Sequence, residues 1–230
     1  MNLRVLQYNH KHDAVFCAPN SLYLQINSVI GSFKSETTFE ENMALDDIAR
    51  NIGFQKSMGS KITTASLSKL SNRINKIIQT HKLNVPKLAL SILNQSTFLK
   101  EINNVTSNGI YTICVSFSQY QRFLMKQQYF AEYYKGAEKL VDGYIQHCLT
   151  LIIQKTETVP KYIIIDPNIE LDNKNTAIDI NQLEKEYSNK VILINRHDIQ
   201  SLLTMREDSM DDDNIIIMID FEGNSNLDIY

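Results

Sequence analysis

The sequence contains no tryptophan, only 4 prolines and 7 glycines in 230 residues, and just 3 cysteines. With so few breakers, element boundaries must be sought in polar clusters such as Ser57-Met58-Gly59-Ser60, Ser107-Asn108-Gly109 and Asp211-Asp212-Asp213-Asn214. An odd number of widely spaced cysteines, Cys17, Cys114 and Cys148, each beside apolar residues, argues against a disulfide framework and predicts buried, reduced thiols. No apolar run approaches the roughly 20 residues of a membrane span, and no apolar leader with a small-residue cleavage site follows Met1. These absences predict a cytoplasmic protein without a membrane partner. There is no Gly-rich phosphate loop, no Gly-x-Ser-x-Gly elbow and no Cys-x-x-Cys pair, so no cofactor is expected. A net charge of −3 and a pI near 6.0 give no general attraction to phosphate backbones, and nucleic acid is not an expected partner.

The hydrophobic share of 43% and charged share of 21% are those of an ordinary folded chain. Apolar residues at Leu22, Ile26, Val29 and Ile30, after Pro19, predict a helix over 15–30. A second is expected over 38–52, with Glu40 and Glu41 in its first turn and Gly53 beyond it, and a third over 60–81 on the stripe Leu67, Leu70, Ile74, Ile77, Ile78. Residues 87–99 and 109–117 read as two strands that can pair across an Asn/Gly turn. Helical spacing returns over 119–135. It is most regular over 140–154, where Leu140, Val141, Tyr144, Ile145, Cys148, Leu149, Ile152 and Ile153 step by one and three. Beyond Pro160, short β-branched runs at 162–165, 191–194 and 215–219 read as buried strands, in parallel crossovers or a meander, with helical pieces at 181–187 and 198–205 between them. The expected fold is α+β (mixed α/β): a helix-rich first half packed on a sheet drawn from residues 87–117 and 160–220, in a single domain over 1–230 whose one candidate boundary is at Val159-Pro160.

Two constellations suggest metal chemistry. His10-Lys11-His12 at the end of an apolar segment resembles the His-x-His pair of amidohydrolase barrels, although further ligands would have to come from elsewhere. Asp220-Phe221-Glu222, after the run Ile215 to Ile219, resembles the first motif of DEDD-type exonucleases, in which alternation sets two carboxylates on one face of a strand to hold catalytic ions. That motif takes its completing carboxylates from downstream, where only Asn224 to Tyr230 follow here. Cys17 can act as a nucleophile only if a histidine approaches it and lowers its pKa; core packing is the plainer expectation. Tyr129, Tyr133 and Tyr134, with Phe130, put enough aromatic surface on one segment to anchor a protein interface.

Read in order, Ala14-Val15-Phe16-Cys17-Ala18-Pro19-Asn20-Ser21-Leu22, Tyr133-Tyr134-Lys135-Gly136-Ala137-Glu138-Lys139-Leu140-Val141-Asp142 and Ile219-Asp220-Phe221-Glu222-Gly223-Asn224 resemble successive stretches of the serpin family. Ala18 replaces the family's serine, and its tryptophan-bearing central strand has no counterpart. The resemblance covers nothing of the reactive loop, so it implies a shortened serpin-like scaffold that is no protease inhibitor, of the kind a virus could turn on a host protein. The sequence therefore predicts a non-enzymatic interaction or regulatory factor with a protein partner, host or self. Its alternative is a metal-dependent hydrolase or nuclease using Asp220 and Glu222 or His10 and His12.

Overall fold

A computed structural model of the chain describes residues 4–6, 17–32, 48, 62–105, 107–116, 119–120, 123–124, 146–166, 177–179, 183, 185, 191–204 and 214–221. In chain order the elements are β1 (Arg4–Leu6), α1 (Cys17–Ser32), α2 (Thr64–Thr80), β2 (Leu88–Leu93), α3 (Gln95–Glu101), β3 (Gly109–Ser116), β4 (Gln146–Gln154), β5 (Lys161–Ile165), β6 (Ala177–Asp179), β7 (Ile192–Ile194), α4 (Arg196–Thr204) and β8 (Ile215–Phe221). The class is α+β. Six strands form one antiparallel sheet in the order β2-β8-β3-β4-β5-β7, and β1 pairs with β6 in a separate two-stranded ribbon.

Alternation along the strands divides the core between the two faces of the sheet. On one face Leu88, Leu90, Ile110, Cys114, Cys148, Ile152, Ile163 and Ile217 join a cluster with Leu22, Ile26 and Val29 of α1 and Leu67, Leu70 and Ile74 of α2. On the other, Ile113, Val115, Leu149, Leu151, Ile164 and Ile216 meet Phe98 of α3, Leu202 and Leu203 of α4, and Tyr120, Phe123 and Leu124.

The largest departure from the sequence expectation is at 140–154. Residues 146–154 are not the end of a helix but the strand β4, hydrogen-bonded between β3 and β5. A central strand covered on both faces is apolar at nearly every position, and such a run can mimic a helical period by chance. The expected strand over 87–99 stops at Leu93. There Asn94 accepts a hydrogen bond from the Ser96 N–H at 2.8 Å, which caps α3 and turns Gln95–Glu101 into a helix. Nor do the first two strands pair with each other, because β8, from the far end of the chain, lies between them. The strands after Pro160 run antiparallel to their neighbours, which excludes parallel crossovers. Val159 and Pro160 lie in the turn joining β4 to β5. Helices α1, α2 and α4 fall where spacing placed them. Of the expected helix over 38–52 only Ile48 is described, and most of 121–145 also lies outside the described residues.

Helix α2 starts on a reciprocal cap: Thr63 accepts from the Ser66 N–H at 3.2 Å, and the Ser66 hydroxyl accepts from the Thr63 N–H at 2.9 Å. One turn apart on its buried face, Ser71 and Asn75 then reach the outer edge of β2. Asn75 donates to the Leu88 carbonyl at 2.7 Å and accepts from the Leu88 N–H at 2.9 Å, while Ser71 accepts from the Leu90 N–H at 2.8 Å. An edge strand that would otherwise leave backbone groups unpaired is closed by side chains.

Asn27 of α1 has the opposite status. It is fully buried, and among the described residues neither its amide nitrogen nor its oxygen has a hydrogen-bond partner. Burying an amide without a partner costs about 1–3 kcal/mol. We expect Asn27→Leu to raise the unfolding free energy by roughly that amount, read as a higher urea midpoint with an unchanged slope.

Candidate active site

Helix α1 is buried on all sides rather than on one stripe: from Ser21 to Ile30 every residue is buried, polar ones included. Four of its polar residues, Cys17, Ser21, Gln25 and Ser28, repeat at the spacing of one turn, so they share one face. That face lies on the sheet. Ser21 donates to the Cys148 carbonyl at 3.1 Å, and the Gln25 amide donates to the carbonyls of Ile110 and Ile217, each at 2.9 Å. Cys17, in the first turn, is thereby set against the beginning of β4. Pro19 is accommodated there because first-turn N–H groups have no partner within the helix.

Three groups converge at this point. His147, one residue into β4, lies beside Cys17, close enough for its imidazole to act on the thiol. Its Nε2 sits 3.1 Å from Oδ1 of Asp166, the residue after β5. Because β4 and β5 are paired antiparallel neighbours, the start of one strand and the end of the other meet at one end of the sheet. With Nε2 committed to Asp166, contact with the thiol falls to Nδ1. All three residues are buried, at 8% exposure for Cys17, 3% for His147 and none for Asp166.

The electrostatics favour an ion pair of thiolate and imidazolium. Burial opposes ionisation of Cys17, but the hydrogen bond and positive charge of His147, with the N–H groups of Cys148 and Ala18, outweigh it and carry the thiol below its ordinary value. For His147 burial again opposes charge. The Asp166 carboxylate, by its charge and hydrogen bond, and then Cys17 prevail and raise the imidazole to about 10. A thiolate beside an imidazolium that a carboxylate orients, at a helix N-terminus that favours negative charge, is an activated nucleophile with its acid-base partner.

The condition set on Cys17 by the sequence, that a histidine must approach it, is thus met. The histidine is one that the sequence placed in the middle of a helix. The expectation of three reduced thiols is corrected as well: Cys114 and Cys148 face each other across β3 and β4 and are joined as a disulfide, leaving Cys17 as the free cysteine.

Of the other candidate residues only Asp220 is among those described. Asp220 is exposed on β8, accepting a hydrogen bond from Ser91 at 3.1 Å, and its charge adds to burial in raising the carboxyl of Glu101. Among the described residues no group of three or more His, Cys, Asp or Glu side chains could hold a metal ion. His10, His12, Glu222, Tyr129, Tyr133 and Tyr134 lie outside the described residues. Among those described, no helix is long and apolar enough to cross a membrane. No family model matches the chain, and neither a curated protein nor a solved structure matches it significantly.

Proposed function

We propose that this chain is a thiol-dependent acyl-transfer enzyme that cleaves or exchanges an amide or ester bond through Cys17, His147 and Asp166. The observation that carries this reading is the convergence of the three side chains at the N-terminus of α1, with His147 beside Cys17 and hydrogen-bonded to Asp166. Chain order agrees: the cysteine comes first, with the histidine and the acid about 130 and 150 residues beyond it, as in papain-type peptidases. That agreement is one of arrangement. The role of each residue follows from its chemistry.

The Cys17 thiolate attacks the substrate carbonyl carbon, forming the S–C bond and pushing the carbonyl electron pair onto oxygen, where first-turn N–H groups of α1 favour the charge. Collapse of that adduct expels the amine or alcohol, which takes the proton from His147 Nδ1, and leaves a thioester on Cys17. Water, or an acceptor nucleophile, then gives its proton to His147 and attacks the thioester, restoring the thiolate. Asp166 holds the imidazole in register and compensates its charge throughout. The protein partner expected from the sequence is, on this reading, a substrate. It replaces the non-enzymatic factor as our leading function because the described residues bring a nucleophile, a histidine and a carboxylate together.

The test is active-site labelling. With Cys17 only 8% exposed, a small electrophile such as iodoacetamide is the suitable probe. We expect native protein at pH 6 to take up one carbamidomethyl group, mapped by peptide mass spectrometry to Cys17, far faster than glutathione does. Cys17→Ala should keep the circular dichroism spectrum and lose both labelling and any turnover of fluorogenic ester or peptide substrates. A Cys17 that labels no faster in native than in urea-unfolded protein would remove the reading.

A further inference from the structure

Aromatic packing on His147 assigns a role to a residue outside the three. Tyr120 is fully buried, with its ring centroid 5.1 Å from that of His147 and the two planes inclined by 33°. It lies on helical residues following β3. Its approach is fixed by the turn before it: the Ser116 N–H donates to Gln119 Oε1 at 3.1 Å, and the Gln119 N–H donates to Ser116 Oγ at 3.2 Å. Phe123 and Leu124 of the same segment join the core on this face of the sheet, so the ring sits in an apolar wall.

We propose that Tyr120 is a positioning residue for His147, its ring packing on the imidazole so that it stays aligned between Cys17 and Asp166. This rests on the acyl-transfer reading for its purpose but not for its measurement. Among the described residues, the charged and titratable groups shown facing His147 include Cys17 from α1, Asp166 after β5 and the Tyr120 phenol itself. A π face near an imidazolium attracts it, and an apolar cover keeps the field of Asp166 unscreened. Removal of the ring weakens both effects.

The experiment compares Tyr120→Phe, which keeps the ring, with Tyr120→Leu and Tyr120→Met, which do not; the methionine variant serves if leucine unfolds the protein. Two quantities are read: the His147 midpoint by NMR titration in a Cys17→Ala background, and the pH profile of Cys17 alkylation by iodoacetamide with Cys17 present. We expect loss of the ring to lower the His147 midpoint by about 0.5–1 pH unit. It should also move the acid limb of alkylation to higher pH and slow alkylation at pH 6 roughly tenfold, while Tyr120→Phe stays near the parent on both. A folded leucine or methionine variant with the parent's midpoint and profile would overturn the assignment. If Cys17 proves unreactive in the parent, the acyl-transfer reading fails, and the NMR midpoint still decides the role of Tyr120.

Discussion

His147→Ala should slow alkylation of Cys17 at pH 6 by roughly 10²-fold or more, a far larger effect than any substitution away from the site. Burial alone raises a thiol, and the largest opposing contributions to Cys17 come from His147; without it only the N–H groups of Cys148 and Ala18 favour the thiolate. The residue then behaves as an ordinary or raised thiol, almost wholly protonated at pH 6. Asp166→Asn should act in the same direction through the imidazole, because it removes the charge that holds His147 protonated. In comparable triads loss of the acid lowers turnover by about 10⁴-fold. Alkylation rate against pH is the measurement: the parent's acid limb lies below the ordinary thiol value of 9.0, and that of His147→Ala at or above it. Coincident limbs for parent and variant would detach His147 from the nucleophile.

The same pair makes a signed statement about stability. His147, raised from 6.5 to about 10, contributes stability that is fully present below pH 6.5 and is lost as pH rises through about 10. Cys17, lowered from 9.0, contributes stability present above pH 9.0 and lost as pH falls through its lowered value. Where these windows overlap, the folded chain carries one proton on His147 and the unfolded chain one on Cys17, so the slopes cancel and the parent's stability is flat. Cys17→Ala removes one side of that balance. Its unfolding free energy should fall as pH rises above 6.5, while Asp166 still holds His147 protonated.

How much of this was legible in the residues divides along a physical line. The fold class and the helices α1, α2 and α4 were, because each of those segments carries an apolar period that local geometry enforces. The strand β4 was not, since burial on both faces erases the alternation that marks a strand. That single misreading hid the site: a histidine at 147 in a helix has no reason to meet a residue after β5, whereas at the start of a central strand it has. The assembly of Cys17, His147 and Asp166 is a product of strand order, which no local spacing encodes. One signal was present and went unused. A polar repeat of Cys17, Ser21, Gln25 and Ser28 along one face of a helix rich in apolar residues says that the helix is buried with that side against hydrogen-bonding partners.

Gln25 carries the second large effect, and its variants should come close to unfolding the protein. Strands β3 and β8 are paired from Cys114↔Ile215 to Thr112↔Ile217, and the ladder stops there. At that parting the Gln25 amide enters, donating to Ile110 on β3 and Ile217 on β8 and accepting from the Thr112 hydroxyl at 2.8 Å. Gln25→Met keeps the volume and removes all three bonds. With each stranded buried group worth about 1–3 kcal/mol, a total loss of about 3–9 kcal/mol is expected, against a typical domain stability of about 5–15 kcal/mol. Thr112→Val, which strands only the Gln25 oxygen, should cost about 1–2 kcal/mol. The double variant should fall short of additivity, since the shared bond is lost only once. Urea denaturation of the four proteins measures the cycle, and strict additivity would mean that the amide and the hydroxyl do not act together. Gln25 and Cys17 stand two turns apart on one helix face, and the hydrogen bonds that stitch α1 to β3 and β8 also hold the thiol against His147. Folded Gln25→Met should therefore alkylate more slowly at pH 6 than the parent, although residue 25 touches none of the three site residues.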